Sequence, residues 1–213
     1  MPNDLFIKYR RISFILLAAV VVTCPVFYFF IDLPVAKFVQ ANLPDSVKLF
    51  TQHITNAGDW FLCIFAVVAL TARLVFKNKL VFRRFLFPLL TAAVAGIITS
   101  ALKGILGRWR PGEYFQENGV YGFAPFSNSH GSWPSGHSSA IMATMTAIAI
   151  FFPKWRIPCF VVAALIGSTR IILSSHYLGD VFAGLILGYL CAHWLYYLLV
   201  RYKQLPEQKT RDI

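Results

Sequence analysis

Three short polar stretches carry the residues of this chain that could do chemistry: KGILGRWRP at 103–111, PSGH at 134–137 and RIILSSHYLGD at 170–180. Together they hold the cations Lys103, Arg108, Arg110 and Arg170, the imidazoles of His137 and His176, several serines and the carboxylate of Asp180. The rest of the chain is strongly apolar. Charge beside hydrocarbon is costly, so such residues usually face a protein interior or an aqueous cavity. The combination suits a phosphate, with cations for its oxygens, one histidine to attack and another to supply a proton.

Each stretch has a functional reading and a plainer one. On a helix, where each residue advances about 100°, Lys103 and Arg110 point nearly the same way two turns apart, and Pro111 then ends the helix. Arg108 falls on a different face and is expected among lipid headgroups. The plainer reading has Lys103 and Arg110 only marking the membrane interface. In the second stretch the chain enters a helix, whose first N–H groups can receive phosphate oxygens. Gly136 permits close backbone approach, and Ser135 can cap the helix or donate to phosphate. In the third, the spacing of His176 and Asp180 puts both on one helical face if the turn is helical. Asp180 can then accept from one imidazole nitrogen and orient the other toward substrate. The alternative is an ion pair that only braces a helix start.

These residues must be positioned by membrane helices. A spanning helix needs about 20 mostly apolar residues. Six segments approach that length, at about 12–30, 60–76, 85–106, 138–152, 157–173 and 181–200. The fourth is short, which fits a start buried against protein at the membrane boundary. Lys8, Arg10 and Arg11 precede the first segment as in a signal peptide, but the run is long and lacks a small-x-small cleavage site, so a retained helix is expected. Residues 34–50 show a weak interfacial-helix pattern, with Val35, Phe38 and Val39 on its apolar side and Pro44 interrupting it. The loop 107–137, rich in Gly, Ser, Asn and Pro, reads as structured and functional. Gly184 and Gly188 fit close helix packing within the chain in preference to dimerisation.

Of the 213 residues, 57% are hydrophobic and 14% charged, against about 25% charged in a soluble domain. Mean hydropathy is +0.61. Lipid is the solvent, and one domain spanning residues 1–213 accounts for the length. The net charge of +11 does not point to nucleic acid, because the cations sit at helix ends and in short loops. They follow the topology rule for membrane proteins. Regions 8–11, 73–84, 154–156 and 201–211 are basic and alternate so as to share one side, expected to be the cytoplasm together with both termini. Loops 31–59, 107–137 and 174–180, and with them all three polar stretches, fall on the other side. Cys24, Cys63, Cys159 and Cys191 lie in apolar segments without metal-ligand spacing and read as small buried hydrophobes. No cofactor or metal is expected, since between Asp59 and Asp180 the only acids are Glu113 and Glu117. His130 reads as a solvated loop residue, His193 as a packing or hydrogen-bonding residue within the bundle, and Glu113 and Tyr114 as neighbours able to shape a headgroup pocket.

In order and spacing, Lys103-x6-Arg110-Pro111, Pro134-Ser135-Gly136-His137 and Arg170-x5-His176-x3-Asp180 resemble the three signature motifs of the type 2 phosphatidic-acid phosphatase superfamily. The resemblance covers about residues 55–200; the N-terminal helix is generic. Thr169 stands where the family often has serine, and it keeps a hydroxyl. The resemblance implies an all-α, six-transmembrane-helix bundle with an extracytoplasmic active site, and a metal-independent phosphatase working through a phosphohistidine. His176 would be the nucleophile, oriented by Asp180. Lys103, Arg110 and Arg170 would bind the non-bridging phosphate oxygens, Ser135 and Gly136 would add hydrogen bonds, and His137 would protonate the leaving oxygen.

The implied partner is a lipid phosphate in a bacterial (inner) membrane, met from the periplasm or exterior. Undecaprenyl diphosphate, phosphatidylglycerophosphate, phosphatidic acid and the lipid A phosphates all qualify. Two other functions stay open: a lipid phosphotransferase using the same intermediate, and an anion transporter, which would need a polar path across the whole bilayer. A haloperoxidase with a similar site is disfavoured by the membrane segments.

Overall fold

The computed structural model describes residues 2–75, 79–116, 119–126 and 130–206, with the side chains at 2–3, 57–66, 69 and 72 left out of the description. In hydrocarbon the backbone must satisfy its own hydrogen bonds, and the apolar runs are accordingly helical. Helix α1 (Pro2–Val26) continues through a π turn at Phe27–Ile31 into α2 (Asp32–Asn42). Pro25, which has no N–H to give the preceding turn, sits just ahead of this widened turn. Leu43 and Pro44 are extended and break the helix. The chain resumes as α3 (Asp45–Leu74) and α4 (Lys79–Leu106), then a short α5 (Pro111–Gln116) and α6 (Gly136–Phe151). A 3-10 turn at Pro153–Trp155 leads to α7 (Arg156–Ile172), and α8 (Leu178–Arg201) follows. The described residues form no strand, only an isolated bridge between Arg108 and Phe123.

Among the described residues, four stretches are long and apolar enough to cross a membrane: Asp4–Asn42, Lys79–Leu106, Pro153–Ile172 and Leu178–Arg201. The segment expected at 138–152 is α6, apolar but only 16 residues long. The one expected at 60–76 falls in α3, largely on side chains outside the described residues. The pattern at 34–50 divides at Pro44 as anticipated, and its second part opens the 30-residue α3. Val39 is buried against the protein and Phe38 is exposed on its surface.

Short α6 lies at the centre of the bundle, packed against α8, α4 and α7. Most of its residues are buried against protein, which fits its short length. Small residues make this packing possible. Thr99 Oγ1 on α4 meets Ser139 Oγ on α6 at 2.8 Å. On α8, a Cβ at Gly188 would stand 2.2 Å from Ser139 O and 2.8 Å from Ala143 N, and one at Gly184 2.5 Å from Ser135 O. The Gly184/Gly188 pair therefore serves packing within the chain. Gly188→Ala must push two backbones apart, and a loss of about 3 kcal/mol is expected, read as a lowered thermal midpoint in detergent. An unchanged midpoint would show that α6 and α8 separate without cost. Cys159 and Cys191 are buried and Cys24 is half-buried; the Cys63 side chain lies outside the described residues.

The two ends of the bundle differ chemically. At one end Phe6 and Tyr9 of α1 pack on Trp194, Tyr197 and His193 of α8, Arg84 covers Phe151, and Arg83 donates to Gln204 O. His193 is a packing residue there, its Nδ1 bonding to Tyr189 O on its own helix. At the other end Phe27 packs on Phe182, and the polar stretches meet.

Candidate active site

Helix α4 ends because Gly107 turns left-handed, with φ +57. A side chain there would also strike Ala124 O, 1.9 Å from an ideal Cβ. Its N–H still bonds Lys103 O, and its carbonyl accepts from Ala124 N, so the long loop returns over the helix end. This corrects the helical-face argument. Lys103 is on α4, whereas Arg110 lies beyond the turn, and Pro111 begins α5 instead of stopping a helix. The two cations are brought near each other by the loop. Arg110 Nη2 approaches Gly131 O at 3.5 Å, and a Cβ on Gly131 would touch the Lys103 side chain at 3.4 Å.

The same turn corrects Arg108. Far from reaching lipid headgroups, it is 2% exposed. Its guanidinium donates to Asp180 Oδ1 at 2.5 Å and to Asp32 Oδ2 at 2.7 Å. Burial opposes its charge, but Asp180 and Asp32 outweigh that cost and raise its pKa.

The second stretch starts α6. Ser135 is buried and caps the helix, its Oγ accepting from Ser138 N at 3.4 Å and from Ser138 Oγ at 2.8 Å. Gly136 is not required by backbone strain, since a Cβ there would meet nothing nearer than 3.7 Å and would stand 3.9 Å from Lys103 Nζ. Its lack of a side chain leaves room over the lysine amine. A cleft of about 290 Å³ opens here, lined by Lys103, Gly136 and His137 with Thr55, Thr99 and Ser100. The imidazole of His137 is exposed. Arg110, Ser135, Arg170 and His176 do not line this cleft, although Arg110 and Arg170 lie close enough to Lys103 to act on its charge.

The third stretch is held by local bonds. Ser175 N and His176 N donate to Arg170 O at 3.0 and 3.2 Å, folding the segment back on the end of α7. His176 precedes α8, so it does not share a helical face with Asp180. The two still meet, with His176 Nδ1 3.8 Å from Asp180 Oδ2. Asp180 Oδ2 also accepts from Ser132 Oγ at 2.5 Å and Tyr177 N at 2.9 Å, and Ser132 Oγ is 3.5 Å from His176 Nδ1. Asp180 thus both caps α8 and faces the imidazole. Its backbone carbonyl accepts from Ser135 N at 3.0 Å, which locks the second and third stretches together.

Ser132, Arg108 and Asp32 were not legible as site residues. Arg108 had the wrong face on an ideal helix, and Asp32 lies 76 residues from its partner Arg108. A buried acid just past an apolar run, in a chain short of acids, was the available signal. His130 also departs from expectation. It stacks on Trp109 at 3.7 Å, and its Nδ1 is 3.3 Å from Glu113 Oε2, which also accepts from Arg110 N at 2.7 Å. Glu113 therefore fixes the loop beside Arg110.

Burial drives the His176 pKa down to about 4, and the nearby Asp180 only partly offsets it. The imidazole is neutral, and able to attack, at pH 7. The sign is clear: as pH falls through about 4 the ring gains a proton, so kcat/KM is expected to fall there and to show no loss from this group near pH 6.5. A pH profile with a steep acid limb near 6.5 in the pre-steady-state attack step would contradict the assignment of this ring.

At one end of an apolar helical bundle, the described residues thus bring cations near a buried histidine and a carboxylate. The family model described as PAP2 superfamily matches residues 84–204, and the chain belongs to that superfamily. Among curated relatives, the lipid A 1-phosphatase of Rhizobium etli is 30% identical over 198 residues, covering 85% of this chain and 81% of that protein. The lipid A 1-phosphatase of Rhizobium johnstonii is 30% identical over 196 residues, covering 85% and 77%. Among solved structures, a transmembrane PAP2 type phosphatidylglycerolphosphate phosphatase from Bacillus subtilis superposes with TM-score 0.64 at 21% identity, over 99% of this chain and 98% of that one. Aquifex aeolicus LpxE gives 0.57 at 18%, over 80% and 96%.

Proposed function

We propose that this chain is a single-domain lipid phosphatase of a bacterial inner membrane that removes a phosphate from lipid A by way of a phosphohistidine. The observation that carries the reaction is the placement of His176 Nδ1 on Asp180 and Ser132, which leaves Nε2 to attack. Phosphate enters beside Lys103, with Arg110 and Arg170 neutralising its oxygens and the N–H groups at the start of α6 donating to them. His176 Nε2 bonds to phosphorus as the phosphorus–oxygen bond to the lipid breaks, and His137 gives its proton to the departing oxygen. Water then attacks the phosphohistidine and passes its proton to His137 as the phosphorus–nitrogen bond breaks, releasing inorganic phosphate and restoring both histidines. The fixed cations take the charge-stabilising role, so no metal enters the reaction.

Lipid A is favoured over the other lipids by the two Rhizobium relatives, whose identity extends over 85% of the chain. The basic end of the bundle, with both chain ends, lies in the cytoplasm, and the site faces the periplasm at the ends of six spans. The deciding measurement is phosphate release by purified protein from lipid A, undecaprenyl diphosphate, phosphatidylglycerophosphate and phosphatidic acid, each with and without excess chelator. Lipid A is expected to turn over fastest, with chelator changing kcat by less than about twofold, as positioning and fixed charge predict. Loss of all turnover in chelator, restored by Mg²⁺, would refute the mechanism. Preference for another of the four lipids would refute the substrate alone.

A further inference from the structure

Arg108 joins two buried carboxylates from distant parts of the chain. Asp180 is 0% and Asp32 1% exposed. Asp32 holds the turn around Asp180 in two ways. Its Oδ2 shares the Arg108 guanidinium with Asp180, and its Oδ1 accepts from Gly179 N at 2.8 Å, the residue adjoining Asp180. The fit is close, since a Cβ on Gly179 would stand 3.0 Å from Asp32 Oδ2. The Tyr121 hydroxyl accepts from Arg108 Nη2 at 3.0 Å and donates to Tyr28 O at 2.6 Å. The rings of Tyr28, Tyr121 and Tyr177 enclose the guanidinium, 5.2, 5.6 and 4.4 Å from its centre.

Packing alone does not call for this arrangement. No residue in the most apolar stretch of α1 is fully buried by the rest of the protein, and anchoring it to the bundle by apolar contact alone would avoid desolvating three charges. What the charges add is a fixed position and potential. With Asp32 ionised, the positive charge of Arg108 is divided between two carboxylates, and Asp180 keeps negative potential for the imidazole that becomes cationic on attack. With Asp32 uncharged, the whole guanidinium charge falls on Asp180, and Gly179 N loses its charged acceptor.

We propose that Asp32 is a positioning residue of the phosphatase reaction, acting through Arg108 and the Gly179 N–H on Asp180, and through Asp180 on His176. The proposal rests on the reading of His176 and Asp180 as the catalytic pair. It makes the start of α2, which precedes the 84–204 family match, part of the active site.

The test is a double-mutant cycle of Asp32→Asn and Asp180→Asn in the full chain in detergent, with phosphate release from dioctanoyl phosphatidic acid as readout. Asp32→Asn is expected to lower kcat by about 10- to 100-fold, as small displacements of reacting groups do, with KM changed by less than about threefold. Because Asp32 acts through Asp180, the double variant is expected to be no slower than Asp180→Asn within about threefold. A purely structural Asp32 would slow the Asp180→Asn background by its full single-variant factor, and that additivity would overturn the proposal. So would an unchanged kcat in Asp32→Asn. If Asp32→Asn does not fold, Tyr121→Phe, which removes one bond to Arg108, takes its place with an expected loss of about three- to tenfold in kcat; no loss overturns the proposal. Normal turnover by Asp180→Asn would sink the catalytic pair and this proposal together, whereas slow Asp180→Asn with normal Asp32→Asn sinks this proposal alone.

Discussion

Replacing His176 by alanine is expected to lower kcat by about 10⁴-fold or more and to eliminate any phosphoprotein that survives alkali and is lost in acid. His176 is 3% exposed, its ring faces Ser132 and Asp180, and its backbone N–H donates to the Arg170 carbonyl. Alanine also removes a buried polar ring, not a cap or an ion-pair anchor, so the fold should survive. His137→Ala gives the contrasting result. That ring stands in the cleft beside Lys103 and Gly136, where a proton donor to the leaving oxygen belongs. General-acid loss costs about 10²–10⁴-fold, concentrated on poor leaving groups, so p-nitrophenyl phosphate should be spared and a lipid alkyl phosphate should not. Rapid quench of labelled substrate separates the two variants. Normal phosphoenzyme in His176→Ala would remove the nucleophile assignment. Equal losses of His137→Ala on both substrates would remove its role as acid.

Arg108→Met is expected to destabilise the protein by about 3–5 kcal/mol, a large share of the 5–15 kcal/mol typical of a folded domain. Methionine nearly fills the volume but leaves Asp32 and Asp180, both almost fully buried, facing each other without the cation between them. One must then take up a proton or draw in water. The loss should shrink at low pH, where protonating one carboxylate relieves the repulsion, and this rise in relative stability on acidification distinguishes charge loss from a packing defect. Thermal unfolding in detergent at pH 7 and pH 5 measures it. Equal midpoints for the variant and the parent at pH 7 would show that the guanidinium does not hold these carboxylates. Cysteine or packing substitutions on the lipid-facing side of α1 should have no such pH signature.

Much of the architecture was legible because hydropathy acts locally. Runs of about 20 apolar residues become helices whatever surrounds them, so the segments at 12–30, 85–106, 157–173 and 181–200 coincide with α1, α4, α7 and α8. The break at Pro44 was legible for the same reason, as proline removes a donor wherever it stands. The Gly184/Gly188 pair announced close packing, though only the structure shows Ser139 and Ala143 as its partners. The three polar stretches were legible as chemistry because residue type restricts what a group can do: a histidine can be a base or nucleophile, and a lysine can hold an anion.

What the sequence by itself determined is therefore the membrane bundle, the phosphate-suited residue types and membership of a phosphatase family. Where each side chain points was decided by tertiary structure. An ideal helix carried through Gly107 put Lys103 and Arg110 on one face and sent Arg108 to lipid; one residue at φ +57 reversed that, burying Arg108 and making Arg110 a loop residue. The pairings of Asp32 with Arg108 and of Ser132 with Asp180 join residues 76 and 48 positions apart. No periodicity reaches so far. Such contacts exist because buried charges must find partners in the folded chain, and which partner is available depends on how the helices meet.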